Sequence, residues 1–163
     1  MFILPATYIG IPRYMQQHYQ DAMAITRAKS RPDLLITMSC NPKWKELRMI
    51  LKDFPNGTTP NDIPNITVRL FYAKFLSLLD DIIKKNIFGK VLAYVYKIEF
   101  QKIGLPHAHL IVTLHPNNKI MTPESINKCI CAEIPDISNK DLYKLVIKHH
   151  LHGPHTVNYP CVE

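Results

Sequence analysis

The sequence predicts an α+β fold, an antiparallel sheet with flanking helices. Three observations lead there. Val68, Phe71, Phe75, Leu78, Leu79 and Ile82 form one continuous apolar stripe at helical spacing within residues 66–85. Residues 90–100 and 107–114 read as strands, and residues 101–106 turn the chain between them, as an antiparallel hairpin requires. Residues 33–40 form a third short apolar run, bounded by turn signals, that reads as a buried strand.

The elements follow in chain order. A first helix opens at Pro12, whose fixed φ and missing N–H suit a first helical position. Met15, Tyr19, Ala22, Met23 and Thr26 continue it, and it ends near Ser30 because Arg31 precedes Pro32. In the strand that follows, Leu34, Ile36, Met38 and Cys40 share one face and Leu35, Thr37 and Ser39 the other. Asn41-Pro42 is a turn or helix-start signal, and a short helix through Trp44, Leu47 and Ile50 is expected after it. Prolines and Gly57 make residues 53–65 a loop. The long helix then ends on Lys84 and Lys85, cations that suit the negative end of its dipole. Gly89 separates it from the second strand. Two more helices are expected at residues 123–132 and 139–149, followed by a tail at 150–163.

A chain of 163 residues can build one domain with a real core, and a single domain over 1–163 is expected. An apolar content of 47% argues against disorder. The formal charge of +7, with a pI of about 9.2, favours a polyanionic partner, most often nucleic acid. Residues 1–6 are apolar but lack a positive flank and are broken by Pro5, so they do not read as a signal peptide. No run approaches a membrane span. Cys40, Cys129, Cys131 and Cys161 show no disulfide-framework spacing, so reduced thiols are expected.

The strand at 107–114 carries the chemistry. Ala108, Leu110, Val112 and Leu114 lie on one face, while His107, His109, Ile111 and Thr113 lie on the other. Strand geometry sets the two imidazoles about 7 Å apart at Cα on one side. On the preceding strand Val91, Ala93, Val95, Lys97 and Glu99 share a face. Paired residues in a hairpin share a face, so an even pairing sum puts Glu99 beside the histidines. Gln101 would join them if the strand continued that far. A slip of one residue would turn Glu99 away. Two imidazoles and a carboxylate with open coordination positions suit a catalytic rather than a closed structural metal site. The plain alternative is a set of polar residues at a strand end.

Residues 94–110, centred on Gly104-Leu105-Pro106-His107-Ala108-His109, closely resemble the Helitron helicase-like domain of Helitron transposons, of the HUH endonuclease superfamily. The resemblance extends in order through Arg13-Tyr14-Met15-Gln16-Gln17, Asp21-Ala22-Met23-Ala24-Ile25 and Ile36-Thr37-Met38-Ser39-Cys40-Asn41-Pro42-Lys43-Trp44. It continues in Phe88-Gly89-Lys90-Val91, Ala132-Glu133-Ile134-Pro135-Asp136 and His152-Gly153-Pro154.

The resemblance implies an HUH endonuclease fold of the ferredoxin or RRM-like kind, incomplete in this chain. It implies that His107, His109 and a polar residue of the neighbouring strand, Glu99 or Gln101, bind magnesium or manganese. The expected activity is nicking and strand transfer on single-stranded DNA during rolling-circle transposition, in the nucleus, with a helicase domain in cis. Thr37, Asn41, Lys43, Trp44, Gln101 and Lys102 are the candidate DNA contacts. Trp44 reads equally as a base-stacking residue or as a core anchor for its helix.

The family's nucleophile is a pair of tyrosines on a later helix, and no such motif is found. Tyr143 reads as a packing residue, and Tyr159 sits in a proline-flanked tail. The expectation is therefore a metal-binding part truncated before its nucleophile and inactive alone. The alternatives are a non-catalytic single-stranded DNA-binding module and an inactive transposon relic. His152, His155 and Cys161 make a loose candidate zinc cluster with no clear fourth ligand, so structural zinc is the weaker expectation for the tail.

Overall fold

The structure, a computed structural model, describes residues 5, 7–100, 104–130 and 133–149. The chain divides into two compact units, Met1–Ile120 and Met121–Glu163. In the first, α1 (Pro12–Lys29) precedes β1 (Leu34–Ser39), α2 (Lys45–Ile50), α3 (Pro64–Ile83), β2 (Val91–Phe100) and β3 (Pro106–Leu114). The second holds α4 (Pro123–Cys129) and α5 (Lys140–His149). The α+β class and the antiparallel hairpin are as the sequence predicts.

The three strands form one antiparallel sheet in the order β1-β3-β2, so β3 lies in the middle. Its placement follows from its composition. Alternation gives β3 a fully apolar face, and Ala108, Leu110, Val112 and Leu114 are each no more than 1% exposed. Phe71, Phe75, Leu79 and Ile82, set at helical spacing along α3, belong to the same core cluster. Leu34 and Cys40 of the β1 segment, Leu47 of α2 and Leu105 before β3 complete it. Leu35, Thr37 and Ser39 are exposed, as the alternation of this strand predicts.

The predicted helix boundaries shift by one to three residues where local chemistry intervenes. α3 begins at Pro64 rather than 66, with proline in its first turn. Its stripe also contains Thr67, 2% exposed, whose hydroxyl donates to the Pro60 carbonyl at 2.8 Å. That loop carbonyl makes a buried hydroxyl acceptable. Lys84 and Lys85 follow the helix and pair with Asp80 and Asp81 one turn back, at 2.9 and 2.6 Å. α4 stops at Cys129, three residues before the expected end, and opens on a capping box between Thr122 and Ser125. α1 ends at Ser30, whose φ of 86° leaves the helical region.

An ion pair joins the residue before β1 to the segment that follows β3. Asp33, with its side chain 5% exposed, accepts Lys119 Nζ at 3.1 Å and the Leu114 backbone N–H at 2.7 Å. Lys119 Nζ also donates to the Arg31 carbonyl at 3.3 Å. Lys119→Met should therefore strand a buried carboxylate. Urea unfolding should show a loss of about 3–5 kcal/mol, and a loss below about 1 kcal/mol, typical of exposed pairs, would contradict the clamp.

Candidate functional site

The face of the sheet opposite the core carries rows of side chains that run across all three strands. Ser39 and Glu99 both stand opposite His107, and Thr37 and Lys97 both stand opposite His109. The pairing sum of β2 and β3 is thus even, and Glu99 lies on the histidine face as the parity argument requires. The two imidazoles meet edge to face with centroids 4.6 Å apart.

Each ring is held differently. His107 is 7% exposed, and its Nδ1 lies 2.8 Å from the Ser39 hydroxyl. His109 is more open, with its side chain 38% exposed, and its Nε2 lies 3.0 Å from Glu99 Oε1. The other carboxylate oxygen, Oε2, accepts Lys97 Nζ at 3.1 Å. These two hydrogen bonds, from His109 first and from Lys97 second, hold the Glu99 carboxyl below its usual range. The cluster therefore keeps a carboxylate ionised between an imidazole and an ammonium.

The remaining candidates are placed as follows. Thr37 is exposed in the row of His109. Asn41 follows β1, and its Oδ1 accepts the Lys43 backbone N–H at 2.8 Å, a side-chain turn that fixes this loop. Trp44 packs on the core cluster. Its ring stacks on Phe71 at 6.4 Å, and Lys74 Nζ lies 5.1 Å from its centroid. Of the two readings open for Trp44, these contacts are those of an anchor. Gln101 and Lys102, and the zinc candidates His152, His155 and Cys161, lie outside the described residues, as does Tyr159. Tyr143 is half-buried on α5. Cys40 is a free, buried thiol, and its burial raises its pKa.

Two residues of the site were not singled out from sequence. Ser39 joins His107 only because β1 pairs with β3, a contact between residues 68 apart in the chain. No local pattern announces such a pairing. Lys97 is different, because the same parity that finds Glu99 also finds it.

The donor set can be tested for a divalent cation. Among the described residues no three His, Cys, Asp or Glu side chains are gathered tightly enough to enclose a metal ion as they stand. In chemistry the set fits. Two donors at adjacent corners of an octahedron with bonds of about 2.1 Å are about 3.0 Å apart. Glu99 Oε1 and His109 Nε2 stand at 3.0 Å. The hydroxyl on His107 Nδ1 is the kind of outer partner that orients a ligating imidazole toward its other nitrogen.

In the free protein the Glu99 contacts set a pH signature. Its folded pKa is depressed, so its contribution to stability is full above the ordinary glutamate value and is lost as pH falls through the depressed one. The stability of the chain over Glu99→Gln should hold steady from neutral pH into mild acid and vanish below the carboxylate range. A difference in urea midpoint that ignores pH would contradict this.

Comparison with known families gives a match. The model of the Helitron helicase-like domain at N-terminus matches residues 1–112, which include all three strands nearly to the end of β3 and both histidines. No curated protein matches the chain. No helix among the described residues is long and apolar enough to cross a membrane. The match covers more than two thirds of the 163 residues, and the chain belongs to the Helitron helicase-like N-terminal domain family, whose functions are related to transposons.

Proposed function

We propose that the histidine face is the cation-binding half of a DNA-nicking site of the HUH type, acting on single-stranded DNA in rolling-circle transposition. One observation carries the reading: His107, His109 and Glu99 share one face of a sheet whose other face is core. His107, His109 and Glu99 would hold magnesium or manganese. When bound, such a cation polarises the scissile phosphate and stabilises the charge that develops on it.

The chain's own residues do the rest. The Ser39 hydroxyl holds the ring plane of His107, and burial keeps that ring from rotating. Glu99 keeps His109 in the cluster, and Lys97 keeps Glu99 ionised. Lys97, 61% exposed, adds a cation on the same face for an approaching phosphate. The nucleophilic tyrosine of such enzymes has no counterpart assigned among the described residues.

A specific observation also favours a second reading. Glu99 already satisfies both its oxygens with His109 and Lys97. Such a network needs no cation to be stable, and the basic chain would then bind single-stranded DNA without one.

Manganese titration separates the two. The intact chain should bind manganese, His107→Ala with His109→Ala should abolish binding, and Ser39→Ala should weaken it by about tenfold or more. Equal affinity in the chain and the double variant would defeat the first reading. Salt-sensitive DNA binding that ignores manganese would then support the second.

A further inference from the structure

Within residues 1–120, a cavity of about 850 Å³ opens between α1 and β2. β2 is a terminal strand of the sheet, so one of its edges faces this groove. The groove is rich in aromatic rings. Tyr14 and His18 line it from α1, meeting edge to face at 4.3 Å, and Tyr94 and Tyr96 line it from β2. Tyr96 is braced from behind. Its ring packs on Phe75 of the core at 4.9 Å, edge to face. Tyr94 remains 42% exposed and Tyr96 38% exposed. α1 buries none of its residues fully, so this wall faces a space rather than a core.

The groove is joined to the site. Lys97 lines it and also contacts Glu99 at 3.1 Å, and Glu99 contacts His109. Tyr94 and Tyr96 stand opposite Val112 and Leu110, on the core face of the sheet, so a polyanionic strand that passes the histidine cluster reaches their rings by crossing the edge of β2 at Lys97. Asp21, also on the lining, sets the orientation of that strand. A carboxylate repels phosphate, so bases rather than backbone are turned inward, toward the rings. Each base offers a π-face, and aromatic platforms capture unstacked bases with little regard to sequence. A volume of about 850 Å³ lies in the range of about 300–1,000 Å³ that accepts organic ligands.

We propose that the groove between α1 and β2 seats bases of the single-stranded DNA that flanks the histidine cluster, stacked on Tyr14 and Tyr94 over the fixed ring of Tyr96. This rests on the DNA-processing reading of the histidine face. The groove supplies grip and the direction of the strand, and the cluster supplies the contact to phosphate.

Fluorescence anisotropy of the full chain with a labelled oligodeoxynucleotide of about 16 nucleotides, the upper end of single-fold site sizes, tests it, with manganese and with chelator. Tyr14→Ala and Tyr94→Ala should each weaken binding about tenfold. Tyr14→Phe and Tyr94→Phe should bind as the parent does, because the ring and not the hydroxyl is used. Ala22→Glu, which puts a carboxylate on the lining without removing a ring, should also weaken binding, so the test does not rest on folding of the tyrosine variants. Parent-like binding by both alanine variants, equal losses in the phenylalanine variants, or duplex competing as well as single strand would each overturn the proposal. Manganese affinity should be unchanged in the tyrosine variants. If the histidine double variant keeps its manganese while the tyrosine variants lose DNA, the metal reading fails and the groove stands.

Discussion

A central strand in an antiparallel sheet has its register set twice, once by each neighbour. In β3 both settings agree: Ser39 and Glu99 flank His107, and Thr37 and Lys97 flank His109. The agreement is enforced from the other side of the sheet. Leu110 is 1% exposed, and Val112 and Leu114 are fully buried. Slipping the strand by one residue would bring these side chains to water at about 1.5–3 kcal/mol each. It would also drive two imidazoles toward Phe71 and Phe75. The polar cluster is therefore positioned by apolar packing, and its geometry is as firm as the core beneath it.

That arrangement divides the labour between the two faces. α3 and the core face fix where the strands lie. Asp33, bonded to Lys119 and to the Leu114 backbone N–H, secures the start of β1 to the end of β3, and the register between them brings Ser39 beside His107. The open face is then free to hold groups that a core would not tolerate: an ionised carboxylate, an ammonium and two imidazoles within contact of one another. At the edge of β2, Tyr94 and Tyr96 turn to the other side, toward the aromatic groove against α1. Lys97 lines the groove and pairs with Glu99, so it belongs to both.

Much of this was legible because it is local. Strand parity alone put His107 and His109 together and, given the pairing, Glu99 with them. The stripe on α3 was readable except at its start, where Thr67, whose burial depends on a carbonyl in the preceding loop, takes the buried position in place of Val68. What sequence did not reveal is non-local. The place of β1 next to β3 comes from packing, so Ser39 carried no signal as a site residue. Trp44 left two roles open, because a tryptophan after a turn suits either, and its contact with Phe71 is made across the fold. The groove was invisible for the same reason: Tyr14 and Tyr94 are far apart in the chain, and each reads alone as an ordinary amphipathic residue.

The central claim is that register, not sequence proximity, builds a cation site from His107, His109 and Glu99. Anomalous diffraction from crystals of the chain soaked in manganese tests it most directly. The account predicts one strong peak in contact with both imidazoles and the Glu99 carboxylate, with the Glu99–His109 hydrogen bond replaced by bonds to the ion. A peak bound elsewhere on the chain, with Glu99 still bonded to His109 and Lys97, would contradict it.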